Sequence, residues 1–217
     1  MLTLNDIKLY ATERLSTAPA GNPLSTLDRA LVELAVAASP VCLNQPALER
    51  ATHAAIDHGA TPGQIQEVIT VVSGLGVHSL MVASPLAHRI LAERQQLAAD
   101  APLDEAQQAL WAHHVGDDPF WARMEQLVPG FLKSLLSLCS DSFRAFFDYC
   151  AVPWKTAHLR AYQKELIALA VDATPGHRFF PGFRLHLENA LQLGVGGAAI
   201  EEVLALARNA PEHTGVH

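Results

Sequence analysis

LVELAVAASP at residues 31–40 lies over LIALAVDATP at residues 166–175 when the chain is slid along itself by 135 residues. The same shift aligns 31–82 with 166–217 without a gap, and it carries Pro46 onto Pro181, Ala55 onto Ala190 and Gly59 onto Gly194. Ile65, Glu67, Val68 and His78 then fall on Ile200, Glu202, Val203 and His213. Matches concentrated at proline, glycine and apolar sites mark a structural unit written twice. The alanines in both runs favour buried helices over strands. Gly59 and Gly194 stand where a helix ends in a left-handed cap. Thr61-Pro62-Gly63-Gln64 reads as an N-cap, a first-turn proline and a capping-box glutamine, whereas GVGGAAIEE at 194–202 should start its helix more loosely. The expected fold is all-α, as two tandem helical modules. The first spans 1–98, a polar helical linker spans 99–118, and the second module spans 119–217.

Composition narrows the function. Half of the 217 residues are hydrophobic, only 17 % are charged, and the net charge is -7. An acidic chain without a basic face is a poor partner for nucleic acid, and no basic amphipathic stretch suggests membrane attachment. MLTLNDIKLY lacks the charged-then-apolar pattern of a secretory signal, so a cytoplasmic protein is expected. Residues 69–87 carry no Asp, Glu, Lys or Arg. With serines, a histidine and a proline inside them, they read as a helix buried between subunits of a homodimer or homotrimer. Cys42, Cys139 and Cys150 show no CxxC spacing and read as reduced thiols.

LxxLAVxA, then PGxRLHLxNALxLG, then IEEVL resembles the carboxymuconolactone decarboxylase and alkylhydroperoxidase D-like family, over roughly 27–90 and 155–217. The resemblance implies an all-helical, cofactor-free homo-oligomer in the tandem two-module form, with sites at module or subunit interfaces. Its decarboxylases act on a carboxylated muconolactone, and its peroxidase-like members use a CxxC pair. Here the corresponding positions hold Asn44 and Ala47 in one half and Phe179 and Gly182 in the other, so no resolving thiol is available. The family histidine is His186 in the second half and Ala51 in the first.

These residues point to one site per chain, in the second module. His186 is the expected general acid, able to deliver a proton near neutral pH. Arg184 is the expected carboxylate clamp, since its guanidinium can bind bidentately. His177 and Arg178 sit in a cationic-aromatic loop suited to a small organic acid, with Phe183 beside them as a wall. Glu202 is expected to orient the histidine. His213 is a candidate substrate contact eleven residues further on, ~16 Å away if the helix is continuous. Glu49, His53 and Asp57 recur every four residues but read as a solvated face, and no metal is expected. The function so implied is cofactor-free decarboxylation, or a related proton transfer, on a small carboxylated lactone or keto-acid. The alternatives are a non-catalytic assembly or binding protein and a peroxidase using Cys42 alone.

Overall fold

Helix starts follow the capping chemistry. Thr61 Oγ1 accepts from the Gln64 N–H at 3.2 Å, and Thr61 N–H donates to Gln64 Oε1 at 2.9 Å, which starts a helix at Pro62. Asn44 Oδ1 accepts from the Ala47 N–H at 2.9 Å and starts the helix before it. That helix ends ahead of Gly59 (φ 88°), and its later counterpart ends ahead of Gly194 (φ 84°), both in the left-handed region where glycine avoids a Cβ clash.

The computed structural model describes residues 2–98 and 101–215, and all regular structure among them is helical. In chain order the helices are α1 (Leu4–Leu15), α2 (Thr26–Ala38), α3 (Gln45–Asp57), α4 (Pro62–Gly74), a 3-10 turn (Leu75–Val77), α5 (His78–Glu93), α6 (Glu105–His114) and α7 (Pro119–Leu127). There follow α8 (Phe131–Leu138), α9 (Ser140–Cys150), the short α10 (Val152–Lys155), α11 (Ala161–Asp172), α12 (Phe180–Gln192) and α13 (Gly197–Arg208). α2, α3 and α4 begin 135 residues before α11, α12 and α13, respectively.

Two compact units form, and their boundaries differ from those expected. One holds residues up to Leu75 together with those from Pro153 onward, and the other holds Gly76–Val152. Helix α5, expected to complete the first module, instead packs on α8. Residues 119–152, expected to open the second module, stay with that same unit. The cause is aromatic: Phe131, Phe143 and Phe146 are buried, Trp111 stacks on Phe143 at 6.4 Å and Trp121 meets Phe147 edge-on at 4.8 Å. The expected linker contributes α6, which packs on α9, while its first residues, 99 and 100, lie outside the described residues. Val82, Leu86 and Ile90 recur every four residues along α5 and are exposed at 58, 48 and 42 %. By length and composition Pro62–Glu93 could cross a membrane, with 28 % of its most apolar window buried.

In the other unit α2 and α11 pack on each other, and each carries partners from both halves of the chain: α3, α4 and α13 on α2, and α12, α13 and α4 on α11. Polar contacts repeat this exchange. Glu67 on α4 pairs with Lys164 at 2.8 Å and accepts from the Leu159 N–H at 3.0 Å. Glu202 on α13 pairs with Arg29 at 2.9 Å and accepts from the Leu24 N–H at 3.2 Å, each residue 135 positions from its counterpart. Gln163 donates to Asp28 across the same spacing at 2.6 Å. The glycine-rich start of α13 is not loose. The Gly197 and Ala198 N–H groups donate to the Pro19 and Ala20 carbonyls at 2.8 Å, so a passing chain segment caps it.

Candidate active site

α11 is apolar except at a few points, and two of these are acids seven residues apart. Glu165 and Asp172 therefore share one face, two turns from each other. Both are buried, at 6 and 0 % exposure. α12 folds back antiparallel along that face, beginning where Pro181 fixes its first turn. Gly182 meets the far acid: a Cβ there would lie 2.2 Å from Asp172 Oδ2. One turn later His186 meets the near acid, its Nδ1 2.7 Å from Glu165 Oε2. Asn189 donates to the other Glu165 oxygen at 3.3 Å and fixes the carboxylate in place.

An ionised carboxylate only accepts, so Nδ1 carries the proton toward Glu165 and Nε2 is left for a reacting atom. Burial disfavours the imidazolium, but the Glu165 hydrogen bond and the charges of Glu165 and Asp172 outweigh it and hold the His186 pKa above 6.5. Burial pushes Asp172 upward too, only partly offset by His177 and His186. His177 Nε2 lies 3.4 Å from Asp172 Oδ1, and its side chain is 20 % exposed. The cluster is an acid–base constellation of two carboxylates and two imidazoles. Asp172 and His177 are also a carboxylate and an imidazole of the kind that ligate transition metals, two of the three or four donors such a site takes.

The structure thus brings His186 to Glu165 and His177 to Asp172, and leaves the other expected residues elsewhere. Arg184 is exposed, its guanidinium 5.4 Å above the Tyr10 ring and 6.0 Å from Phe180. Two residues turn a helix by about 200°, so Arg184 and His186 project from opposite sides. Arg178, at φ 48°, is exposed and donates to the Leu2 carbonyl at 3.3 Å. Phe183 is a core residue, fully buried and stacked on Phe180. Glu202 is committed to Arg29 and Leu24; the carboxylate on His186 is Glu165. α13 stops at Arg208, so His213 lies beyond the helix, exposed, accepting from the Gly215 N–H at 3.0 Å. Glu49, His53 and Asp57 form the solvated face they were read as. Cys42 is buried, and burial pushes its thiol upward, the reverse of an activated thiolate. A cavity of ≈ 380 Å³ in the same unit opens on a different face of α11, lined by Tyr162, Leu166, Asp28 and Leu193, and touches none of the four groups.

The fold has a counterpart among solved structures. The chain is similar to a crystal structure from Burkholderia xenovorans whose assignment, a gamma-carboxymuconolactone decarboxylase subunit, is itself provisional. The TM-score is 0.71 at 29 % identity, over 94 % of this chain and 77 % of that one. No family model matches the sequence, and no curated protein does. The helical fold and the extent of the structural likeness support the resemblance to the carboxymuconolactone decarboxylase and alkylhydroperoxidase D-like family that the PGFRLHLENALQLG segment carries.

Proposed function

We propose that the chain is a cofactor-independent acid–base enzyme, a decarboxylase or related lyase or isomerase of small carboxylated lactones or keto-acids. The observation that carries this reading is the buried His186–Glu165 contact of 2.7 Å. Glu165 holds one imidazole tautomer and favours the charged ring, which suits His186 to give a proton from Nε2. In a decarboxylation the carbon–carboxylate bond breaks, its electron pair enters the adjacent carbonyl system as an enolate, and carbon dioxide leaves. His186 then protonates the enolate, becomes neutral and takes a new proton from solvent. The decarboxylase named in the structural neighbour supports the substrate class. Arg184 has no part in this version. One site per chain follows, because Ala51 stands where the first half would need its histidine.

The test is carbon dioxide release from gamma-carboxymuconolactone and from simple β-keto-acids. Turnover by the intact protein should fall about 10²–10⁴-fold in His186→Ala with the helical spectrum unchanged. Full activity in that variant sinks the proposal.

We propose also that copies of the chain associate, as dimers or trimers, through the Val82–Leu86–Ile90 stripe of α5. An apolar row of this exposure suits a self-contact better than water in a chain so poor in charge. Sedimentation should show an oligomer that Leu86→Glu dissociates. A monomer at micromolar concentration contradicts it.

A further inference from the structure

Asp28 sits in the first turn of α2 and is buried there, at 9 % exposure. It accepts from Ser25 Oγ at 2.8 Å, from the Tyr162 hydroxyl at 3.2 Å and from the Gln163 amide at 2.6 Å. All three donors are neutral, and the neighbouring Arg29 is held by Glu202 at 2.9 Å instead. Tyr162 keeps its proton: burial first, and then the Asp28 charge, raise its pKa, with Arg160 offsetting part of the rise. An ionised carboxylate has about four acceptor positions, of which these donors take three. With Tyr162, Asp28 lines a cavity of ≈ 380 Å³, within the size range of small-molecule sites, and Leu166, Leu193 and Ala199 give it apolar walls. We propose that this cavity binds a small primary amine in its charged form.

An ammonium group brings three N–H donors and the positive charge that a buried carboxylate calls for. One donor completes Asp28, a second reaches the Tyr162 oxygen, and the third is left for water. The short carbon chain lies against Leu166, Ala199 and Leu193, the last of which is 50 % exposed without it. The 135-residue shift places Gln163 over Asp28, Leu27 over Tyr162, Thr61 over Gly196 and Gln64 over Ala199. Those positions hold neither a carboxylate nor a phenol, and Thr61 and Gln64 are bonded to each other. The acid, the hydroxyl and the two small residues therefore come together at one end of the repeat and not at the other. A carboxylated molecule is repelled by Asp28, so this site is separate from the one at His186, and the two readings stand or fall independently.

The probe is butylammonium chloride, with butan-1-ol and sodium butyrate as controls of the same chain length. In ¹⁵N-labelled protein, nuclear magnetic resonance reads the amide signals of Gly194 and Gly196 on the cavity wall. Both should shift saturably with butylammonium, and with neither control at the same concentration. Asp28→Asn should weaken binding at least about tenfold, the loss expected for one charge-assisted contact. Ala199→Leu, which fills the cavity and leaves Asp28 in place, should weaken it as much. That second variant carries the test even where Asp28→Asn unfolds. Absence of a saturable shift overturns the proposal, and so do equal shifts with butan-1-ol, which would remove the need for a charge. Affinity unchanged in Ala199→Leu also overturns it, because the cation would then sit elsewhere on this acidic chain.

Discussion

Helices α2–α4 and α11–α13 match in order and, within one residue, in length, yet at five matched positions they carry different chemistry. Where α11–α12 and their loop carry Glu165, Asp172, His177, Gly182 and His186, the earlier set carries Ala30, Ala37, Cys42, Ala47 and Ala51. Ala30, Ala37, Cys42 and Ala51 are buried there, at 2, 3, 2 and 7 % exposure. The earlier set shows that these helices pack with small apolar residues at those points. Replacing a buried charged pair by well-packed apolar residues is often neutral or stabilising, so packing alone does not require the charges of the second set. The proposed acid–base site would then sit in a scaffold that does not require it, the usual exchange of stability for activity.

The comparison breaks most directly at the two reciprocal ion pairs. Glu67 and Lys164 are 2 and 5 % exposed, while Glu202 and Arg29 are 27 and 44 % exposed. Lys164 also donates to the Thr156 carbonyl at 2.9 Å, and Glu67 accepts two backbone N–H groups. Lys164→Ala would strand a buried carboxylate and should lower unfolding free energy by about 3–5 kcal/mol. Arg29→Ala should cost no more than about 1 kcal/mol, since water screens its pair. Urea unfolding of the two variants measures the difference; equal losses would mean that the two halves are energetically alike.

A smaller effect sharpens the contrast at Gly182. Gly182→Ala drives a methyl group into the Asp172 carboxylate and should cost about 1–3 kcal/mol. Adding Asp172→Ala recreates the Ala37–Ala47 pair of the earlier set, so the double variant should be more stable than Gly182→Ala alone. Strict additivity of the two changes would show that the acid and the glycine are uncoupled.

Sequence spacing made the helices legible because caps, glycines and apolar period are local signals. Thr61, Gln64, Gly59 and Gly194 take the cap and turn positions their spacing predicts. Glu165 was not legible, because its partner is 21 residues away and only the packing of α11 on α12 joins them. A signal was present: Glu165 and Asp172, seven apart in an apolar run, stand over alanines at 30 and 37. Glu202 drew attention as a repeated residue, yet repetition there reflects a structural pair with Arg29, 173 positions earlier. The unit boundaries escaped for a like reason, since α5 finds its partner α8 only through long-range aromatic packing.

The pH dependence of stability separates the two sets in the same way. The folded pKa of His186 is raised, so its proton stabilises the fold fully below 6.5 and that contribution is lost as pH rises through the folded value. Asp172, raised from 3.8, has the same sign: its proton favours the fold at low pH and the contribution fades as pH climbs. Stability from these groups should therefore decline toward alkaline pH. Urea midpoints across the range above 6.5 should fall in the intact protein and flatten in His186→Ala. An equal decline in that variant would assign the slope to other groups.

The smallest expected effect belongs to Arg184, whose guanidinium made it the expected carboxylate clamp. The structure turns it outward over Tyr10 and Phe180, on the opposite side of α12 from His186. A carboxylate bound at His186 would lie out of its reach, and what Arg184 contributes is a cation resting on two partly buried rings. Arg184→Ala should therefore cost about 0.5–1 kcal/mol of stability and leave turnover and inhibitor binding unchanged. Calorimetry with a carboxylate inhibitor checks the second half. A tenfold loss of affinity in Arg184→Ala would mean that substrate is held on the outer face of α12, and would move the site away from the Glu165–His186 pair altogether.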